Sequence, residues 1–218
     1  MRLLRSAAIL GIAAAFLAMP VVAGAQLVIT NVYDCTLTGG LPKGIELCVL
    51  TDIPDLSLYG VGSANNGGGT DGQEFTFPAV TASAGTFIYV SSDSAAFNTW
   101  FGFDSDYQTS AMLINGDDAI EVFCGGNVID TFGDINVDGT GTAWDYVDSW
   151  ASRVSGTAPD GATFVISNWT FGGPDALDGE TSNASAANPV PIGTYAHPAV
   201  PVEPTTWGKV KNLGKTSE

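Results

Sequence analysis

The chain has 218 residues, 45% of them hydrophobic, and carries 23 acidic side chains against 7 lysines and arginines, for a formal charge of −16. That balance repels phosphate backbones and argues against direct nucleic-acid binding. The apolar share excludes a chain disordered by composition.

The first segment, residues 1–25, reads as a secretory signal peptide. Arg2 and Arg5 form a basic start, Ile9 to Met19 is a short apolar run, and Ala23-Gly24-Ala25 is a small-residue cleavage site. The run is too short for a bilayer and ends at Pro20. The expected mature chain starts at Gln26 and would be exported to the cell surface or the extracellular space. No later apolar run is long enough to span a membrane.

From Gln26 the chain reads as short strands separated by glycine-rich turns. Strands are expected at 27–33, 44–50, 56–62, 74–80 and 85–92, and "NNGGGTDG" over 65–72 must be a loop. Residues 94–103 suit one or two helical turns with Ser94 as cap. "DDAIEVFCGGNVIDTF" (117–132) is a hairpin signal around Gly125-Gly126-Asn127, and a last strand is expected within 162–171. This spacing, without a long amphipathic helix, predicts an all-β antiparallel sandwich over 26–196. From His197 a proline-rich linker leads to a basic tail with Lys209, Lys211 and Lys215. The tail "PTTWGKVKNLGK" resembles a short C-terminal motif of some bacterial exported proteins, with Gly214-Lys215 in place of Tyr-Arg.

Up to Val200 the mature body has only Lys43 and Arg153 as cations, and it holds every acid but Glu203 and Glu218. Glu46 lies inside an apolar strand, and its expected place is solvent or a pair with Lys43 or Arg153. Asp117 and Asp118 read as a turn with side chains capping the backbone. Cys35, Cys48 and Cys124 allow one disulfide, in three pairings, or buried free thiols.

"DINVDGTGTAWD" has the spacing of a calcium loop. Asp134, Asn136 and Asp138 take its first, third and fifth positions, with Gly139 at the turn. Thr140 would give a backbone carbonyl, and Asp145 closes the loop. The preceding residues read as strand rather than helix, so self-capped turns compete with a Ca2+ site. Trp144, Tyr146, Trp150 and Trp169 would pack the loop onto the core or, alternatively, form a carbohydrate-binding face.

Catalytic signatures are lacking. The one histidine, His197, precedes Pro198 in the linker, and no nucleophile elbow, Walker loop or dinucleotide fingerprint occurs. The expectation is a non-enzyme.

The order "LVITNVYD", "KGIELCVL", "DLSLYGVG", "EFTFPAVTASAGTFIYVSS" and "INGDDAIEVF…VIDTFGDI" resembles the lamin-tail domain family, over about residues 27–135. It extends to 195 in comparison with secreted bacterial versions. Asn31 stands where that family usually has an acid, and Gly44 where an aromatic often precedes "IEL". The resemblance implies an immunoglobulin-like sandwich acting as an interaction or adhesion module for a protein or surface component. Relatives beside secreted nucleases or phosphoesterases suggest an accessory role as the alternative, and carbohydrate binding as another.

Overall fold

A computed structural model describes residues 26–197. The signal peptide expected over 1–25 and the chain from Pro198, with the basic tail, lie outside the described residues.

Ten strands form two sheets packed face to face, an all-β sandwich. The larger sheet holds β1 (Leu27–Leu37), β2 (Leu41–Val49), β5 (Phe87–Ser91), β6 (Tyr107–Gln108), β9 (Trp150–Arg153) and β10 (Trp169–Phe171), in the order β10-β9-β1-β2-β5-β6. The smaller holds β3 (Tyr59–Ala64), β4 (Phe75–Thr76), β7 (Ala119–Cys124) and β8 (Asn127–Phe132), in the order β4-β3-β7-β8. All named pairs are antiparallel except β5 and β6. Parallel neighbours need a crossover, and α1 (Ser94–Phe101) supplies it. Asp93, not Ser94, caps this helix: its carboxylate accepts from the Ala96 N–H at 2.8 Å.

Several expected strands are shorter than their apolar runs. Leu56–Leu58 is a 3-10 turn opened by Asp55, whose carboxylate accepts from the Ser57 N–H at 3.0 Å. Only Phe75–Thr76 of the 74–80 run is strand, since Pro78 cannot donate to a ladder. Only Trp169–Phe171 of the 162–171 run pairs.

The main core lies between the sheets. Leu27, Ile29 and Val32 of β1 face it with Ile45, Leu47 and Val49 of β2, against Val61, Ile120, Val122 and Phe132 from the other sheet. A bulge between Ile29 and Asn31 shifts the phase of β1, so Val32 rather than Asn31 points inward. Fully burying side chains of this size contributes roughly 1.5–3 kcal/mol each.

The larger sheet is covered on its other face as well. There Tyr33 and Cys35 pack with Phe97 and Trp100 of α1 and with Leu177 and Val190 from the segment after β10. That second layer corrects the expectation for Glu46. Glu46 is 0% exposed and pairs with neither cation. Its carboxylate accepts from the Thr30 hydroxyl, the Asn31 amide at 2.8 Å and the Gly193 N–H. Asn31 is thus a donor to a buried acid. Gly44 has an equally local reason: a Cβ there would lie 2.2 Å from the Val90 carbonyl oxygen and 2.6 Å from the Tyr33 hydroxyl.

The three cysteines are free thiols. Cys35 and Cys48 are buried and Cys124 half-buried.

Candidate functional site: a groove beside the acidic loop

Both cations of the described body are paired with carboxylates, Arg153 in the interior and Lys43 half-buried. Lys43 Nζ lies 2.9 Å from Asp34 Oδ1. Arg153, with side-chain exposure of 0%, spans β8 and the loop before β10. Its Nη2 reaches both oxygens of Asp130 at 2.8 Å, its Nε donates to the Ile29 carbonyl at 2.6 Å, and its Nη1 donates to the Ala158 carbonyl at 3.0 Å. Nη1 also lies 3.3 Å from Asp160, and the guanidinium sits 4.5 Å from the Trp169 ring centroid. Asp130 accepts in addition from the Ile29 and Asp160 N–H groups at 2.8 and 2.7 Å. Burial pushes the Asp130 carboxyl up to about 6, with Arg153 and the two backbone donors pulling it back.

This network ties the exit of β8 to the 158–164 loop, and the Thr131 hydroxyl adds a 2.8 Å bond to the Gly161 carbonyl. Between the two tied segments lies an open groove of about 270 Å³. Thr131, Gly133, Asp134 and Asn136 line one side, with Thr163 and Phe164 opposite. Phe164 is fixed by edge contacts to Phe132 at 5.4 Å and Trp144 at 6.2 Å and by a tilted contact to Trp169 at 6.5 Å between centroids. Gly133 is required where the chain turns, with φ of +79° and a Cβ position 2.9 Å from the Ala119 Cβ.

The groove takes in the first three residues of the expected calcium loop, among them its first two candidate ligands, Asp134 and Asn136. The loop itself is a run of self-capped turns. Asp134 accepts from the Asn136 N–H at 3.0 Å and Asp138 from the Thr140 N–H at 2.9 Å. Asp145 accepts from Gly141 and Val147 at 2.6 and 3.1 Å. The Thr140 hydroxyl donates to Asp117 at 3.0 Å, and the Gly69 N–H holds the loop through the Ile135 carbonyl at 2.8 Å. Bonding from Thr140 holds the Asp138 carboxyl below its ordinary value. Asp134, Asp138 and Asp145 do not meet at one point as they stand. A Ca2+ ion would have to draw them off their turns.

Among the described residues one trio of carboxylates does converge, Asp148, Asp175 and Asp178, whose oxygens lie within 4.8 Å of one another. Burial and the repulsion of its two partners push the Asp148 carboxyl up. Asp175 and Asp178 are separated from Asp148 by more than 20 residues, and nothing in their spacing marks them. Asp118 behaves as the turn reading expects, accepting from the Asn115 N–H at 3.0 Å, and it also anchors the Asn66 N–H at 2.8 Å.

The four candidate aromatics are core. Trp144, Tyr146 and Trp169 lie between the sheets and Trp150 in the second layer, none more than 8% exposed. Phe164, which the sequence does not single out, is the ring at the groove.

The chain matches no protein-family model, no curated protein and no solved structure with which it was compared.

Proposed function

We propose that the chain is an exported, non-catalytic interaction module of lamin-tail type, binding a protein or surface component through the groove beside residues 131–136. The observation that carries this is the contrast in how polar side chains are used. The buried Asp130, Glu46 and Asp118 are spent on structural bonds. The Asn136 amide and the Thr163 hydroxyl, in the groove, have no hydrogen-bond partner among the described residues. Both groove walls rest on the same buried ion network, so a ligand would meet a preorganised surface. With Lys43 paired to Asp34 and Arg153 buried against Asp130, the described surface offers carboxylates and no unpaired Lys or Arg, which disfavours phosphate-rich ligands.

The test is cosedimentation of the purified protein with insoluble cell-envelope material. Wild type is expected to pellet with it and Thr163→Trp, which fills the groove, to stay in solution. Equal pelleting of both would overturn the placement. Hydrolysis of DNA or phosphoesters by the purified protein would overturn the non-enzyme reading and favour the secreted-nuclease alternative.

Calcium belongs to this proposal as a stiffener of the 134–145 loop. Extracellular modules bind it with Kd of roughly 10⁻⁴–10⁻³ M, so about 5 mM after chelation is expected to add about 1–2 kcal/mol of stability. The rise in melting temperature should vanish in Asp138→Ala, whose carboxylate is fully outside the core. No shift in wild type would remove calcium from the account.

A further inference from the structure

We infer that the groove takes a single neutral sugar ring, at the end or along the side of a saccharide chain. This names the ligand class of the proposed module and rests on that reading. The volume, about 270 Å³, is below the roughly 300–1,000 Å³ of sites that enclose drug-sized ligands. It is open to solvent on one side, as a chain continuing out of the site requires.

The chemistry of the lining selects within small polar ligands. Phe164 supplies an aromatic surface, the element on which the C–H face of a pyranose packs. Its position is set by Phe132, Trp144 and Trp169, so it loses little freedom on binding. Asp134 uses one oxygen on its own turn and keeps the other for hydroxyl donors. The Asn136 amide both donates and accepts, and so does the Thr163 hydroxyl. A sugar hydroxyl is likewise donor and acceptor, so adjacent hydroxyls can satisfy all three. Acidic sugars, sulfates and phosphates would meet Asp134 without a compensating cation.

The remaining polar atoms beneath the groove are already committed. The Thr131 hydroxyl goes to Gly161, and both oxygens of Asp130 go to Arg153 and backbone donors. Recognition therefore rests on Asp134, Asn136, Thr163 and Phe164. Since hydrogen bonds and ring packing carry it, affinity should change little with salt, unlike attachment through the acidic surface.

The experiment is saturation-transfer NMR on the purified protein with a panel of neutral, amino and acidic mono- and oligosaccharides. Retardation in gels containing neutral polysaccharides runs in parallel. Neutral saccharides are expected to bind, with tenfold or greater loss in Asn136→Ala and Thr163→Val, and with quenching or shift of the emission of Trp144. Both variants are at the surface, and their melting temperatures, unchanged from wild type, exclude unfolding as the cause. No saccharide signal at millimolar concentration, binding of acidic sugars alone, or undiminished binding by both variants would overturn the inference. Binding of a lysine-rich peptide without any saccharide would do so too. If envelope pelleting depends on Thr163 while every saccharide fails, the module reading stands and the sugar assignment falls. If saccharides bind and pelleting fails, the envelope is the wrong target and the groove assignment stands.

Discussion

Replacing Arg153 by methionine is expected to lower stability by about 3–5 kcal/mol, the cost of stranding a buried charge. For a domain of this size that is a fall in melting temperature on the order of 10 °C. The reason is Asp130. It sits at 0% side-chain exposure, with its oxygens facing Arg153 at 2.8 Å. Removing the guanidinium leaves that carboxylate inside with only backbone donors, and Asp160, Ala158 and Ile29 lose partners at the same time. Adding Asp130→Asn to Arg153→Met should recover part of the loss, because no anion is then stranded. Denaturant melts of both variants check this. If the single and double variants lose the same amount, the stranded charge is not the cause. Since the network ties β8 to the 158–164 loop, the Arg153 variant should also weaken any ligand held in the groove.

The second large effect concerns Glu46. Its carboxylate is buried among uncharged donors, and burial pushes its pKa up against the bonds from Thr30, Gly193 and Asn31. Glu46→Ala is expected to cost about 2–4 kcal/mol, because two or more donors lose a buried acceptor at about 1–3 kcal/mol each. The pH dependence has a definite sign. A carboxyl with a raised folded-state pKa binds more protons folded than unfolded, so its contribution is present at low pH and lost as pH rises through the folded value. Asp34 and Asp130, both pushed by burial to about 6, act in the same direction. The protein should therefore gain stability on acidification from neutral pH towards pH 5, and Glu46→Gln should flatten that slope. Melting temperatures at several pH values decide it; a wild type that only loses stability below pH 7 would refute the assignment. Acidification also bears on the segment after β10, because Glu46 is the acceptor that holds Gly193.

Much of the architecture was legible in the chain. The apolar, β-rich run "GIELCVL" and the glycine pair at 125–126 mark β2 and the β7–β8 hairpin, because strand propensity and tight turns are written in neighbouring residues. The strand runs, the acidic balance and the lack of catalytic signatures are local or additive properties, so composition and spacing carry them. The self-capped turns at Asp134 and Asp138 are local too, since each carboxylate bonds a backbone N–H two residues on.

What the sequence could not carry were long-range pairings. Glu46 reads as a surface acid because an antiparallel sheet usually shows one face to water. Only packing of α1 and the 173–196 segment on that face encloses it. Arg153 finds Asp130 across 23 residues and Ile29 across 124. Asp148 meets Asp175 and Asp178 only because β10 returns the chain beside β9. The groove likewise exists because β8 and the 158–164 loop are clamped from below. Asp134 and Asn136 belong to the acidic loop pattern, but nothing in the chain marks Thr163 and Phe164 as their partners across the groove. Local order follows from short-range sterics and hydrogen bonding, which the sequence lists in order; a site assembled from separate loops depends on loop closure and packing, which only the folded chain decides.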